Sequence, residues 1–453
     1  MKKLLSLILC FNFIILLCSG CSNEVNFDPN DPITLSIWHV YGSQTESPLN
    51  DMITQFNEEV GSKKGIIVNV ISVMNSNTID DALLAASNGE PSIPELPDLF
   101  TAYPRIVEKI GANNLLDFSQ YFSEEELNGY RQEFLSEGYI DNQLLMLPIA
   151  KSTEVIFLNK TLYDRFAAAT NHDISSLSTM ESLFATSNDY YDYTNGMAMF
   201  QYNDLYYYFL VNINSLKGTF VKDGKIDVFS PQFEKVFTEL ASAAIYGGVC
   251  VGEGFGSDRW KTAEIICNIS STAGMLYLRD YVTYEDNTTE NIEFSILPYP
   301  LFNGGDNRVV QRGVGLFAMK NEDERKNEAA TIFAKWLCEK QNNFNFTTKS
   351  GYLPVTHEAF DYLFENINQI ENTKYKQLYT SIDEMYKQQY QFTSIPLFEG
   401  ADDLQDQFQN SLKATLSDAH DEYVKRCANN EDKDTLLNEL VQRCLKETQN
   451  TFK

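Results

Sequence analysis

Between residues 33 and 100 the spacing of apolar residues keeps switching between two periods, and this alternation restricts the fold more than any other feature. Ile33-Thr-Leu-Ser-Ile-Trp38 alternates as a strand does, and Leu49, Met52, Ile53 and Phe56 then follow at helical spacing toward Gly61. Gly65-Ile-Ile-Val-Asn-Val-Ile-Ser72 predicts a second strand, Ile79 to Ala86 a short helix, and Pro97-Asp-Leu-Phe100 opens a third short apolar segment. Strands separated by helices cannot pair as tight hairpins. The pattern predicts a parallel sheet with helical crossovers.

The same reading continues downstream. Leu144-Leu-Met-Leu-Pro148, Glu154-Val-Ile-Phe-Leu-Asn159, Glu264–Ser270, Phe294–Pro298 and Val314–Met319 read as strands, and Asp323 to Glu339 as a long amphipathic helix. Beyond Gly351-Tyr-Leu-Pro354 the pattern is helical to the end, broken near Thr393–Gly400 and Asn429–Asp432. A chain of 453 residues exceeds what one core supports, so at least two are expected. The formal charge of −28 repels nucleic acid and anionic headgroups, while 43% apolar residues is ordinary for a globular protein.

The N-terminus adds a separate constraint. Lys2 and Lys3 precede an apolar stretch, Leu4 to Leu17, and small residues Ser19 and Gly20 stand directly before Cys21. That is a secretory signal rather than a spanning helix, which needs roughly 20 residues. Leu17-Cys-Ser-Gly-Cys21 resembles a bacterial lipobox, with Cys18 where leucine is usual; an ordinary cleaved signal is the alternative. Residues 1–20 carry two lysines and no acid, so their removal takes the charge to −30. Cys10 and Cys18 would leave with the signal, Cys21 would carry lipid, and residues 21–32 would be a tether. Of the remaining cysteines, Cys250, Cys267, Cys338, Cys427 and Cys444, none forms a CxxC or CxxH pair, so zinc and redox sites are not expected. Buried free thiols are expected, with a Cys427–Cys444 pair as the alternative.

The order of these segments resembles the family 1 extracellular solute-binding proteins, the substrate-capturing lipoproteins of ABC importers. Leu35-Ser-Ile-Trp-His-Val-Tyr-Gly42 is similar to their first strand and ligand-facing loop, Thr54-Gln-Phe-Asn57 to the end of their first helix, and Pro97-Asp-Leu-Phe100 with Leu115–Ser119 to the strand and segment that come next. Leu147-Pro148 through Phe157-Leu-Asn-Lys160, Glu328–Leu337 and Thr348–Pro354 complete the series over residues 33–355. Ile269–Arg279 and Arg312–Met319 look closest to the glycerol-phosphate-binding branch. That branch places an arginine near the ligand phosphate in its C-terminal region, whereas Phe392–Gly400 here has none.

The resemblance implies an α/β, two-lobed fold of the type II periplasmic-binding-protein kind. Each lobe is expected to be a mainly parallel sheet flanked by helices, with a helical C-terminal region. Residues 33–148 plus 298–320 are assigned to lobe one and 149–297 plus 321–453 to lobe two. It further implies a cleft that holds a carbohydrate or a polyol phosphate, hinge closure, permease partners in the membrane, and a monomer anchored by lipid to the outer face of the cell membrane. No cofactor, metal or nucleic acid is implied.

Candidate ligand contacts come from the same resemblance. Trp38, His39, Tyr41 and Ser43 stand just past the first strand, with Tyr41 and Ser43 preferred to His39 as contacts; a Trp38 packed in lobe one and a solvated loop are the alternative. Ser152 and Thr153 precede the strand at Glu154, Ser271 and Thr272 follow another, and Tyr352 occupies the Gly-Tyr-Leu-Pro turn. Gly313 with Gly315 would let backbone approach a ligand closely, or else curve a strand. Arg279 and Arg312 could grip a phosphate or carboxylate, or pair with Asp280 and Asp306. The tyrosines of 190–209 are read as core, with Phe200 or Tyr202 as cleft candidates. An enzyme finds little support: GxSxG and HExxH are missing and His39, His172, His357 and His420 are scattered. GxxxxGK[ST] is missing too, so ATP hydrolysis would belong to another subunit. A sensor presenting ligand to a membrane receptor would use the same fold and tether.

Overall fold

The alternation at the start of the chain is realised as strand β1 (Ile33–His39), in which Leu35 and Ile37 are fully buried. The structure, a computed structural model, describes residues 25–42, 47–76, 78–252 and 254–453. The signal segment, Cys21 and Ser43 lie outside the described residues.

Helix α1 (Pro48–Phe56) begins where Ser47 Oγ accepts from the Asn50 N–H, with proline at its first position where no N–H is needed. Its Leu49, Met52, Ile53 and Phe56 are buried against the sheet, and each such side chain stabilises the fold by about 1.5–3 kcal/mol. Asn57 then holds both backbone groups of Val68 at 2.8–2.9 Å, which ties the helix end to strand β2 (Ile66–Val73). Helix α2 (Ile79–Ser87) covers the opposite face, where Ile79 and Leu83 join Trp38, Phe100 and Ile106 in a second apolar cluster. β1 pairs in parallel with β2 and with β3 (Leu99–Ala102).

The chain then crosses to a second sheet. Strand β4 (Glu154–Asn159) is buried at every position, and β5 (Phe200–Tyr202), β6 (Val249–Cys250), β7 (Cys267–Ser271) and β8 (Phe294–Leu297) complete the order β6-β5-β7-β4-β8. Helix α3 (Leu205–Ser215) carries the run of tyrosines and is buried on nearly every side; α4 (Pro231–Tyr246) packs against it. Strand β9 (Arg308–Val310) leads back, and β10 (Gly315–Ala318) adds to the first sheet, whose order is β10-β3-β1-β2.

The first sheet is mainly parallel, as the crossovers predict. The second is mixed: β4 runs antiparallel to β7 and β8, while β5, β6 and β7 run together. Direction follows from the crossing points. β4 and β10 are the strands that leave the crossing segments, so each runs against neighbours whose carboxyl ends point back toward the gap between the lobes.

Helix α5 (Glu324–Cys338) lies on β1, α1 and β10, and α6 (Lys340–Ser350) on α1. These two helices, assigned above to lobe two, therefore sit on the first sheet. Their face of Ala329, Phe333 and Trp336 meets Phe56, at ring separations of 5.1 and 5.3 Å for the two aromatics. Lys326 also bonds Asp98, which in turn holds Ser36 on β1. Helix α7 (Thr373–Lys387) packs on β8. Strand β11 (Gln391–Thr393), within the stretch read as helical, pairs in parallel with β9. Helices α8 (Ala401–Cys427) and α9 (Lys433–Thr451) pack on α4. Cys250, Cys267, Cys338, Cys427 and Cys444 are all free thiols. Among the described residues no helix is long and apolar enough to cross a membrane.

Candidate functional site

Two antiparallel crossing segments join the lobes. Leu147 exchanges both backbone bonds with Leu316, and Ser152 both with Arg312, at 2.8–2.9 Å. A third piece joins at Leu353, which pairs with Lys151. Between the two exchanges stands Gly313 at φ +99°, a left-handed conformation that glycine alone adopts without strain. Beneath it Lys151, fully buried, donates to the Gly313 carbonyl and to the Glu137 carboxylate, and Gln311 donates to the same carboxylate at 2.7 Å.

Arg312 leaves this crossing and forms the floor of the gap. Its Nη1 donates to Glu154 Oε1 at 2.9 Å and its Nη2 lies 3.4 Å from Asp204 Oδ2. The Tyr207 ring lies 4.7 Å from its Cζ. Glu154 is the first residue of β4, and Asp204 and Tyr207 come from the end of β5 and the start of α3, so lobe two supplies all three. Lobe one contributes Tyr103, the residue after β3, which is close enough to feel the Arg312 charge. Glu154 is 1% exposed while 19% of the Arg312 side chain reaches solvent.

Burial pushes the Glu154 carboxyl up to about 7, Arg312 pulling against it and Asp204 adding to it. Asp204 is likewise raised, first by burial. Burial works against the Arg312 charge, but Asp204 and Glu154 outweigh it and hold the guanidinium protonated. Behind Glu154, Tyr202 donates to its Oε2 at 3.2 Å and shares a 2.5 Å bond with Tyr299, which Asn212 also meets. When both acids are ionised the cluster carries net negative charge, faced by tyrosine rings.

The expected contacts separate into groups. Arg312, Gly313, Ser152, Ser271 and Tyr352 come together at the crossing: Ser271 Oγ donates to Ser152 Oγ at 3.1 Å, and Tyr352 feels Tyr103, Tyr277 and Arg312. Tyr41 is 1% exposed, its hydroxyl donating to the Val314 carbonyl at 3.2 Å and its ring 4.9 Å from that of Tyr352. It lies behind Tyr352 and fixes that ring. Thr272 is fully buried; its N–H donates to the Thr153 carbonyl at 2.7 Å, and Gly351 closes tightly over its own carbonyl. Thr153 donates its hydroxyl to Val310, cross-linking the two segments.

Two others lie elsewhere. Trp38 is 2% exposed in the cluster beneath α2, because strand alternation turns its ring to the face opposite Leu35 and Ile37. Arg279 is exposed and bonds the Tyr281 hydroxyl at 2.9 Å. Neither arginine takes the acid nearest in sequence: Asp280 pairs with Lys374 and Asp306 with Lys217. Phe200 and Tyr202 are buried, and His39 is buried and neutral, burial lowering it to about 4. Glu154, Asp204, Tyr207 and Tyr103 were not anticipated. Tyr103 and Asp204 each stand within two residues of a strand's carboxyl end, the position where open α/β sheets build their sites. Among the described residues no cluster of His, Cys, Asp or Glu is placed to hold a metal ion.

Solved structures share this architecture over nearly the whole chain. The cyclic α-maltosyl-1,6-maltose binding protein of Arthrobacter globiformis is 16% identical, with a TM-score of 0.65, over 92% of this chain and 100% of that one. Maltose-bound MalE3 of T. maritima is 14% identical with a TM-score of 0.64, over 91% and 98%. UgpB of Mycobacterium tuberculosis in complex with glycerophosphocholine is also 14% identical with a TM-score of 0.64, over 92% and 99%. At the sequence level no curated protein matches the chain. A family model matches residues 51–378, and the chain belongs to the bacterial extracellular solute-binding proteins.

Proposed function

We propose that this protein is the lipid-anchored substrate-binding component of an ABC importer and that it captures a sugar, oligosaccharide or related polyol in the interlobe cleft by hinge closure, without chemical change. One observation carries the choice of ligand. The Arg312 guanidinium is already engaged by Glu154 and Asp204 and lies against Tyr207. An arginine so occupied is not available to grip a phosphate. Carboxylates and tyrosine rings in a narrow cleft suit a ligand that offers hydroxyls to accept from and ring faces to stack on. The maltose-type ligands of the structural neighbours are of that kind.

A glycerophosphodiester is the second reading, favoured by the neighbour that binds glycerophosphocholine. Carboxylates beside tyrosines also suit a cationic headgroup. Isothermal titration of neutral saccharides, glycerol 3-phosphate and glycerophosphocholine against the purified protein separates the two. Binding confined to saccharides or polyols supports the first reading, and binding confined to the phosphates replaces it with the second. For the anchor, Cys21→Ser is expected to release the protein from membranes; retention in the membrane fraction would remove the lipid from this account.

A further inference from the structure

Part of the segment expected to be a tether is bound to the first lobe. Residues 25–32 lie at the amino ends of the parallel strands, the end of the sheet remote from the cleft. Phe27 packs on the core, and Asp31 pairs with Arg325 of α5 at 3.0 Å. The Asp31 N–H closes a turn onto the Asp28 carbonyl, also at 3.0 Å. That carbonyl rests on Gly65, which stands at φ +75° one residue before β2; a Cβ there would collide with it, so glycine lets this clasp seat. Beside the clasp, β2 forms a free edge of the first sheet. Its outward side chains include Ile67 and Ile71, 41% and 49% exposed, because α2 covers Trp38 on that face and leaves these two open. Lys63 and Lys64 stand exposed at the start of the same edge, with Glu58 and Glu59 in the turns before them.

We infer that this edge of lobe one is a membrane-resting surface, with Ile67 and Ile71 set into the headgroup boundary of the bilayer that holds the lipid on Cys21. The inference rests on the lipid anchor proposed above and adds what that anchor leaves open, which face meets the membrane. The length of chain outside the described structure supplies the reason. From Cys21 to Val25, where the described chain begins, there are four residue steps, which span at most about 14 Å in any arrangement. A tether running free to Pro32 would let the body turn; the clasp removes most of that slack. Held so close, the edge meets the bilayer as an intramolecular event at high effective concentration, so two isoleucines suffice where an untethered protein would need a large patch. Lys63 and Lys64 can extend toward headgroup phosphates, offsetting Glu58 and Glu59 beside them. The strands then run from the membrane toward the cleft. Lobe one is the fixed lobe, and closure moves lobe two.

Trp38, Trp260 and Trp336, the three tryptophans of the chain, are buried, so an added indole reports on its own surroundings. The test makes Ile67→Trp, Ile71→Trp and, as a distant control, Phe229→Trp, which replaces a 63% exposed ring of lobe two. Each full-length lipidated variant is reconstituted into phosphatidylcholine–phosphatidylglycerol vesicles whose acyl chains carry bromine near the headgroup. Quenching by bromine is expected to be several-fold stronger in the two isoleucine variants than in the control. Adding Phe27→Ser with Arg325→Ala, which frees the clasp without touching β2, should lower it toward the control value. Unfolding temperatures of the same proteins show that each is folded. If all three positions are quenched alike, or if freeing the clasp changes nothing, the membrane-resting edge is overturned while the anchor stands. A stable dimer of the Cys21→Ser protein that Ile71→Lys abolishes would overturn it in favour of a second copy on this edge. If vesicles retain Cys21→Ser as well as the unchanged protein, or retain neither, the anchor falls and the inference falls with it.

Discussion

At the residue scale the cleft is governed by three charges within hydrogen-bonding reach. Glu154 is raised from the ordinary carboxylate value of 4.5 to about 7 in the folded protein, so the folded state holds its proton more tightly than the unfolded chain. Its contribution to stability is then fully present below about 4.5 and is lost as the pH rises through 7. Glu154→Gln should flatten the stability–pH profile across that window, by an amount on the order of 1–3 kcal/mol, read by denaturant unfolding at several pH values. An unchanged slope would show that Glu154 does not titrate there. Arg312→Leu leaves Glu154 and Asp204 facing each other without a counter-charge. Denaturant titration is expected to show a loss of about 3–5 kcal/mol, together with loss of ligand binding. Arg312→Lys should not restore binding, because ammonium supplies neither the planar fork nor the stacking on Tyr207.

At the element scale, the proposed closure would turn on the paired crossing strands. Gly313 is held at positive φ with Ala150, Lys151 and Ser152 backbone atoms at 3.3 Å from where a Cβ would stand. Gly313→Ala is expected to destabilise by roughly 1–3 kcal/mol, since both the conformation and the contact resist a side chain. Binding kinetics give the more specific reading: a strained crossing should slow closure and lower the association rate. Lys151 beneath it is a second sensitive point. Removing its charge by Lys151→Met strands Glu137, which is 6% exposed, and should cost about 3–5 kcal/mol. The double variant Lys151→Met, Glu137→Leu should recover much of that loss, because an apolar pair replaces an ion pair without leaving a bare charge.

Across the whole molecule, closure needs a force that spans the lobes. Arg105 of the first lobe meets Asp402, at the start of a helix packed on the second, at 3.3 Å. With side chains 33% and 52% exposed, such a pair is worth at most about 1 kcal/mol. Asp402→Asn should therefore change ligand Kd by less than roughly fivefold. The ligand itself must supply the rest by touching both lobes. At 100 times Kd it should add about 2.7 kcal/mol of stability, seen as an unfolding temperature a few degrees higher. No shift with a ligand that calorimetry shows to bind would mean that it binds the unfolded chain equally well.

The alternation over residues 33–100, the buried run Glu154–Asn159 and the helices after Pro354 were legible because the periodicity of a strand or helix is local and repeats within ten residues. Tyr352 was singled out by the family resemblance and Gly313 as a glycine that lets backbone approach; that both lie at the crossing is read from the structure alone. The sequence by itself therefore determined the longer elements and their order, but not the short strands β5, β6, β9 and β11. It could not determine which charges meet. Arg312 finds its partners 158 and 108 residues away, passing over Asp306, because strand direction and not chain distance decides what faces the cleft. For the same reason α5 and α6 went to the first sheet, and α2 came to cover the face of β1 that carries Trp38. Composition sets how much charge and how many rings the protein has; only the tertiary structure turns Glu154, Asp204, Arg312 and Tyr207 into one site, because segments 108 and 158 residues apart in the chain must be brought together before their side chains share a dielectric.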